Sequence, residues 1–244
     1  MESMPSSRLI EEFRHRLAEI HADIAAAAAH AGRRAEEIRL VAVSKTQPAE
    51  VLAAAVAAGV REIGENYIQE AVDKFRTLGW TTEAPVVRHA IGHLQANKAR
   101  KAAMWFDMLE TIDSLELAQR LDRVAEELGR TLPVLLEINI CGDTTKSGFF
   151  SSEVEGVLPS LAKCSSIRVQ GLMTIGRLSV DPEGARADFR ALRVLRDHLQ
   201  SVAPPSILLH ELSMGMSHDF PVAVEEGATI VRVGSRIFGP RHSS

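Results

Sequence analysis

The segment Arg39–Pro48, RLVAVSKTQP, runs from small and β-branched apolar residues into a single lysine, Lys45. A lysine at the mouth of a barrel is partly desolvated, which lowers its pKa and frees the neutral amine. A neutral amine attacks an aldehyde to form a Schiff base. A lysine at a strand end also snorkels to solvent, and its position alone leaves both readings open. Near the other end of the chain stand two serine- and glycine-containing stretches, SMGMS (Ser213–Ser217) and the Gly234-Ser235-Arg236 of RVGSR. Gly215 and Gly234 let backbone N–H groups approach an anion, and Ser213, Ser217 and Ser235 offer hydroxyls. A helix starting near Ser217 would add its positive end. Serine and glycine also fill ordinary turns. Together, a strand-end lysine and two such loops point to an aldehyde that carries a phosphate.

These residues must be brought together by the elements between them. Leu9, Phe13, Leu17, Ile20 and Ile24 recur at steps of three and four, which predicts an amphipathic helix over Arg8–Ala31. Eight short apolar segments follow: Leu40–Ser44, Val60–Ile63, Val86–Ile91, Met108–Ile112, Val134–Asn139, Arg168–Met173, Ile207–Leu212 and Ile230–Gly234. Their spacing of ~20–40 residues leaves room for a helical crossover each time. Pro48 and Gly59 bracket one helix, Ser114 and Gly129 another, and Asp181-Pro182 opens a third. Eight β–α units behind a leading helix predict an α/β protein, a single (β/α)8 TIM barrel with an extra N-terminal helix. Residues 1–38 are expected to pack as that helix on a barrel of residues 39–241, one domain overall. A doubly wound open sheet is the alternative, but it usually shows a glycine-rich turn after the first strand, and VAVSKTQP has none.

In such a barrel the chemistry sits where the strands end. Those ends deliver Lys45, then Gly64, Glu65 and Asn66, then Gly92, His93 and Gln95. Further on come Asn139, Asp143 and Lys146, then Met173 and Thr174, then Ser213–Ser217, and last Arg232, Gly234 and Ser235. His89 and His210 fall inside strands and are read as core histidines. His93, Lys98, Arg100 and Lys101 are read as a solvated face.

Composition narrows the classes. The chain has 244 residues, 45% hydrophobic and 25% charged, as an ordinary globular protein has. A net charge of −4 argues against a nucleic-acid or anionic-membrane partner. No apolar run reaches the ~18 residues of a membrane span, and the N-terminus lacks the layout of a signal peptide. Cys141 and Cys164 have no metal-type spacing and make no disulfide framework. A reduced, cytoplasmic protein without a metal site is expected.

The motifs LVAVSKTQP, GENYIQEA, HAIGHLQANK, GLMTIG and LSMGMSHDF…AVEEGATIVRVGSRIFG, spread from about residue 39 to 241, resemble those of the YggS/PROSC family, the pyridoxal 5′-phosphate (PLP) homeostasis proteins. The resemblance implies a barrel like the N-terminal domain of alanine racemase (PLP fold type III), with PLP held covalently on Lys45 as an internal aldimine. It implies that Arg232 faces the pyridine nitrogen and that Asn66 lies near the ring. It also implies that Gly234, Ser235 and the SMGMS residues Ser213, Gly215 and Ser217 form the phosphate cup. The chain departs from the family at Arg88-His89-Ala90, where an aromatic pair usually flanks the histidine, and at Cys141 and Asp143, where serine and glutamate are usual.

An arginine opposite the ring nitrogen only donates, because it stays protonated to pH ~12 and above. The ring nitrogen then stays unprotonated and is a poorer electron sink. Racemisation on such a ring needs a base on each face. Lys45 supplies one, and the single tyrosine, Tyr67, reads as a first-turn helix residue. The expected function is therefore to hold PLP and pass it on, with apo PLP-dependent enzymes as possible recipients, as a monomer and without robust catalysis. The alternatives are a PLP-dependent amino-acid racemase and a cofactor-free Schiff-base aldolase.

Overall fold

A computed structural model describes residues 6–81, 84–177 and 180–239. The strands are β1 (Arg39–Val43), β2 (Glu62–Glu65), β3 (Val87–Ala90), β4 (Met108–Ile112), β5 (Leu132–Asn139), β6 (Phe149–Phe150), β7 (Ile167–Met173), β8 (Glu211–Met216) and β9 (Ile230–Val233). All pairings are parallel, in the order β4-β3-β2-β1-β9-β8-β7-β5, and β4 pairs with β5 through Leu109 and Val134. That last pairing closes the sheet on itself, so the molecule is the (β/α)8 barrel and not the open sheet. The two-residue β6 is an addition to the expected set, lying beside β5 through Ile138 and Phe149.

The helices are α1 (Ser7–His30), α2 (Ala49–Ala58), α3 (Ile68–Thr77), α4 (Ala99–Trp105), α5 (Leu115–Glu127), α6 (Val154–Leu161), α7 (Arg186–Val202), α8 (Phe220–Glu225) and α9 (Ser235–Phe238). Local chemistry marks their ends. Ser114 accepts the Leu117 N–H and caps α5 as expected, an interaction worth about 1 kcal/mol.

The predicted stripe of α1 is buried through Phe13, Leu17, Ile20 and Ile24. Each such side chain contributes about 2 kcal/mol by leaving water. This helix packs on α2, α8 and α9. Phe13 meets Phe238 edge-on at 5.6 Å, and Arg16 Nη1 donates to the Ile237 carbonyl at 2.7 Å. The leading helix therefore braces the first and last units of the barrel.

Inside the barrel Val41, Met108, Leu135, Met173 and Ile230 form one apolar layer. Alternation along the strands sends the other face toward the helices, where the larger core lies. The interior is a packed core. The strand-seven segment differs from expectation. It lies at Glu211–Met216, shifted toward the C-terminus from the expected Ile207–Leu212, so most of SMGMS is strand and not loop.

Candidate functional site

A cavity of about 310 Å³ opens where the strands end. Lys45 and Gln47 reach it from beyond β1, Asn66 from β2, Ser217 and His218 from β8, and Arg232, Gly234 and Ser235 from β9. Val43, Ile91, Ile175, Met216 and Phe238 supply its apolar wall. Six of the eight site residues read from the sequence thus line one cavity: Lys45, Asn66, Ser217, Arg232, Gly234 and Ser235.

Ser213 and Gly215 are placed elsewhere. Ser213 is fully buried within β8, where its hydroxyl donates to Glu110 and accepts from Arg232. Gly215 has φ +89°, and a Cβ there would sit 2.5 Å from Ala223 Cβ. Its glycine is needed for packing of β8 against α8. Of the SMGMS residues Met216 and Ser217 line the cavity, whereas Ser213, Met214 and Gly215 lie farther back within β8.

Lys45 sits on a turn that the sequence did not reveal as strained. Thr46 has φ +65°, which is rare for a β-branched residue and costs on the order of 1–3 kcal/mol. Glu70 Oε1 accepts the Thr46 N–H at 2.6 Å. Lys74 Nζ, nearly buried, donates to the Ser44 carbonyl at 2.8 Å and to Glu65 Oε1 at 2.6 Å. Ser44 Oγ donates to the same carboxylate oxygen at 2.7 Å. Burial pushes the Glu65 carboxyl above its ordinary value even with Lys74 beside it. Helix α3 thus clamps both sides of Lys45.

The β8 and β9 ends are stitched together, since the Gly234 N–H donates to Ser217 Oγ at 3.0 Å. Accepting that bond leaves the Ser217 O–H to donate elsewhere. Beneath them Arg232 is 4% exposed. Its Nη1 donates to Ser213 Oγ at 2.5 Å and its Nη2 to the Thr174 carbonyl at 2.8 Å. Three of its five N–H groups are outside those two bonds. Across the cavity Asn66 Oδ1 is buried without a hydrogen-bond partner. Asn66 is pressed against Gly92, where a Cβ would lie 2.4 Å from the Asn66 carbonyl oxygen.

Below the site lie charged residues that the sequence reading passed over. His89, expected as a core histidine, is fully buried, with Nδ1 2.6 Å from Glu110 Oε1. Its Nε2 stands 3.0 Å from Glu62 Oε2, an ion pair out of line for a hydrogen bond. Burial opposes charge on His89, but Glu110 and Glu62 outweigh it and raise its pKa. Burial likewise opposes charge on Glu62, but His89 and Arg39 lower its pKa to about 2. Glu137 has the opposite fate: burial and the nearby Asp113 raise it to about 7, against the pull of Arg232 and His93. His210, also expected in the core, is more than half exposed. The signal available for Glu62, Glu110 and Glu137 was a charged residue inside an apolar strand, which is unusual unless it is paired.

Among the described residues, no helix is long and apolar enough to cross a membrane and no group of side chains has metal-binding geometry.

Comparison with known proteins gives this geometry its context. The profile of the family described as "Alanine racemase, N-terminal domain" matches residues 16–242. The pyridoxal phosphate homeostasis protein of Escherichia coli (strain K12) is 39% identical over 236 residues, covering 96% of this chain and 99% of that protein. The protein of the same name from Bos taurus is 41% identical over 215 residues, covering 84% of this chain and 78% of its own length. The solved structure of PipY from Synechococcus elongatus PCC7942 with PLP bound superposes with a TM-score of 0.81 at 38% identity, covering 93% of this chain and 100% of PipY. An alanine racemase of Clostridium difficile 630 shares the fold, with a TM-score of 0.71 at 18% identity, and this chain covers 57% of its length. By profile, by identity over nearly its whole length and by fold, the chain belongs to the pyridoxal phosphate homeostasis family of alanine racemase N-terminal-domain-like barrels.

Proposed function

We propose that this protein binds PLP in the barrel-mouth cavity, covalently through Lys45 Nζ, and holds it for delivery within the cytoplasm, as a monomer. The observation that carries the reading is convergence: Lys45, Arg232, Asn66, Ser217 and Ser235 line one cavity, and 38–41% identical relatives carry the homeostasis name or bind PLP. The residues fit the group. A buried amide oxygen on Asn66 lacks a partner, an omission that costs about 1–3 kcal/mol and that a ring hydroxyl would relieve.

When bound, PLP supplies an aldehyde and an electron-withdrawing ring. The protein's part is to bind and to orient. Lys45 would hold the aldehyde carbon only from its neutral amine form, and the clamped turn fixes where its side chain leaves the backbone. Arg232 would hold the ring nitrogen by donating to it without giving up a proton, which would keep the ring a weak electron sink. Ser217 and Ser235 would hold the phosphate through charge-assisted hydrogen bonds.

A racemase would need a second base on the opposite face. Tyr67 is 58% exposed at the start of α3 and is not among the cavity-lining residues. His218 lines the cavity, but its Nε2 meets the Val180 carbonyl at 2.7 Å. This arrangement favours a carrier, with apo PLP-dependent enzymes as recipients. The test is borohydride reduction of the PLP-loaded protein followed by peptide mapping. Attachment at Lys45 is expected, and attachment at Lys98, Lys101 or Lys146 would refute the assignment. A protein that cannot be coloured by PLP would revive the cofactor-free aldolase. Turnover of alanine or serine at ~1–1000 per second would establish the racemase instead.

A further inference from the structure

Arg232 is the buried end of a column of charged side chains that runs to the partly exposed Arg39, and the proposed function leaves the members behind Arg232 unused. Ser213 Oγ accepts from Arg232 Nη1 and donates to Glu110 Oε2, both at 2.5 Å. The other Glu110 oxygen meets His89 Nδ1 at 2.6 Å, and His89 Nε2 faces Glu62 at 3.0 Å. Glu62 in turn receives Arg39 Nε and Nη2 at 2.9 Å, while Arg39 Nη1 reaches Glu211 at 3.1 Å. The column crosses six strands, and its charges alternate in sign from Arg232 to Arg39.

Such a column is costly to bury, and removing one member exposes its neighbours as uncompensated charges. Glu110 is fully buried and stands between two cations. It is the one carboxylate within 4 Å of Arg232 among the described residues, at 3.9 Å. Glu137 and Asp219 act on Arg232 from farther away. A guanidinium tied at Nη1 to Ser213 and at Nη2 to the Thr174 carbonyl cannot turn.

We propose that Glu110 is a positioning residue for Arg232: through Ser213 it fixes the direction of the guanidinium, and with His89 behind it its charge sets the potential at the ring end of the cavity. The inference rests on the reading of Arg232 as the group that meets the ring of bound PLP. Glu110 offsets the arginine, so the cavity faces a nearly neutral pair. Removing the carboxylate charge leaves a bare cation. A positive potential disfavours the protonated Schiff base on Lys45, so its proton is lost at lower pH.

Two variants separate charge from direction. Glu110→Gln keeps the shape and an accepting oxygen but removes the charge. Ser213→Ala keeps the charges and removes the bridge. The PLP-loaded proteins are titrated while the visible absorption of the protonated Schiff base is followed, and PLP release is timed after dilution. Glu110→Gln is expected to lower the titration midpoint by about one pH unit. Ser213→Ala is expected to keep the wild-type midpoint and release PLP several-fold faster. A purely structural role would change unfolding but neither of these readouts. An unchanged midpoint in Glu110→Gln overturns the assignment of its charge, and unchanged release in Ser213→Ala overturns the positioning. Should Glu110→Gln fail to fold, Ser213→Ala decides the positioning, and Glu110→Met, which also removes the charge, takes its place in the titration. In the PLP-free protein, the His89 imidazole is expected to titrate above the ordinary range in the wild type and lower in Glu110→Gln, and an identical titration in both would overturn the column. A wild-type protein that gains no colour with PLP refutes the proposed function itself, whereas a coloured wild type with an unaltered Glu110→Gln refutes only this inference.

Discussion

Lys45 is held from outside the barrel wall, whereas Arg232 is held from inside it. The lysine turn is gripped by Glu65, Glu70 and Lys74, which lie within thirty residues of it and pack between sheet and helix. The grip falls on the backbone, through the Ser44 carbonyl and the Thr46 N–H. The arginine is gripped through its side chain by Ser213 and the Thr174 carbonyl, with Glu110 behind. Those residues are separated by as much as 122 positions in sequence. A nucleophile needs a fixed exit point, and a backbone anchor supplies that. A group that orients a ring needs a fixed plane, which two bonds to one guanidinium supply.

The most severe break removes each head group. Lys45→Ala is expected to abolish borohydride-trapped PLP while retaining weak, reversible binding, because the phosphate contacts are individually worth ~1.5–3 kcal/mol and survive. Arg232→Gln is expected to keep the trapped adduct but lose PLP faster. Mass spectrometry after reduction, paired with equilibrium dialysis, reads both. Equal loss of trapping in the two variants would erase the distinction.

Next in size is the outer clamp. Lys74→Met leaves Glu65 buried without its cation and should cost about 4 kcal/mol at pH 7 in urea denaturation. The loss should shrink near pH ~4, because a protonated Glu65 needs no partner. A loss independent of pH would mean that packing, and not charge, makes the clamp.

The inner wall also contains a carboxylate with no cation in contact among the described residues. Glu137 keeps its proton in the folded chain up to about 7, against an ordinary value of 4.5. Between those values the folded state binds more protons than the unfolded state, so stability falls as pH rises. Glu137→Gln should therefore be more stable than the wild type by roughly 3 kcal/mol at pH ~8 and equal to it near pH ~4. Stabilisation at both pH values would show that the carboxyl is not the source. Glu62, lowered to about 2 by His89 and Arg39 against its burial, is the counterexample within the same barrel.

The smallest expected effect is that of Glu70→Gln. Its carboxylate is partly exposed and accepts from Thr46 and Lys74. A loss of about 1 kcal/mol in stability is expected, with slower trapping of PLP by Lys45 because the strained turn loses its anchor. Stopped-flow absorbance would measure that rate, and a wild-type rate would show that Thr46 holds its conformation unaided.

The elements that depend on nearest neighbours in the chain were legible from residues alone. The stripe of Phe13, Leu17, Ile20 and Ile24, the Ser114 cap and seven of the eight strand segments follow from local spacing, because helix and strand periods are short. So does the placing of Lys45, Asn66 and Arg232 at strand ends. The extent of β8 was not legible. Ser213-Met214-Gly215-Met216 has the composition of a turn, and only pairing with β9 through Ser213–Ile230 and Met216–Arg232 makes it strand. The same holds for Glu110, Glu62 and Glu137, whose partners cannot be read from MLETI, REIGE and LLEINI. Barrel closure sets them opposite His89, Arg39 and Asp113, and it is the distance to the nearest cation in a low-dielectric interior that decides which of them stays ionised. Sequence by itself determined the barrel, its leading helix and the residues at its mouth, since these are written in short-range pattern. Only the tertiary structure decided what lies beneath that mouth, since a buried charge takes its state from partners that the chain brings together from afar.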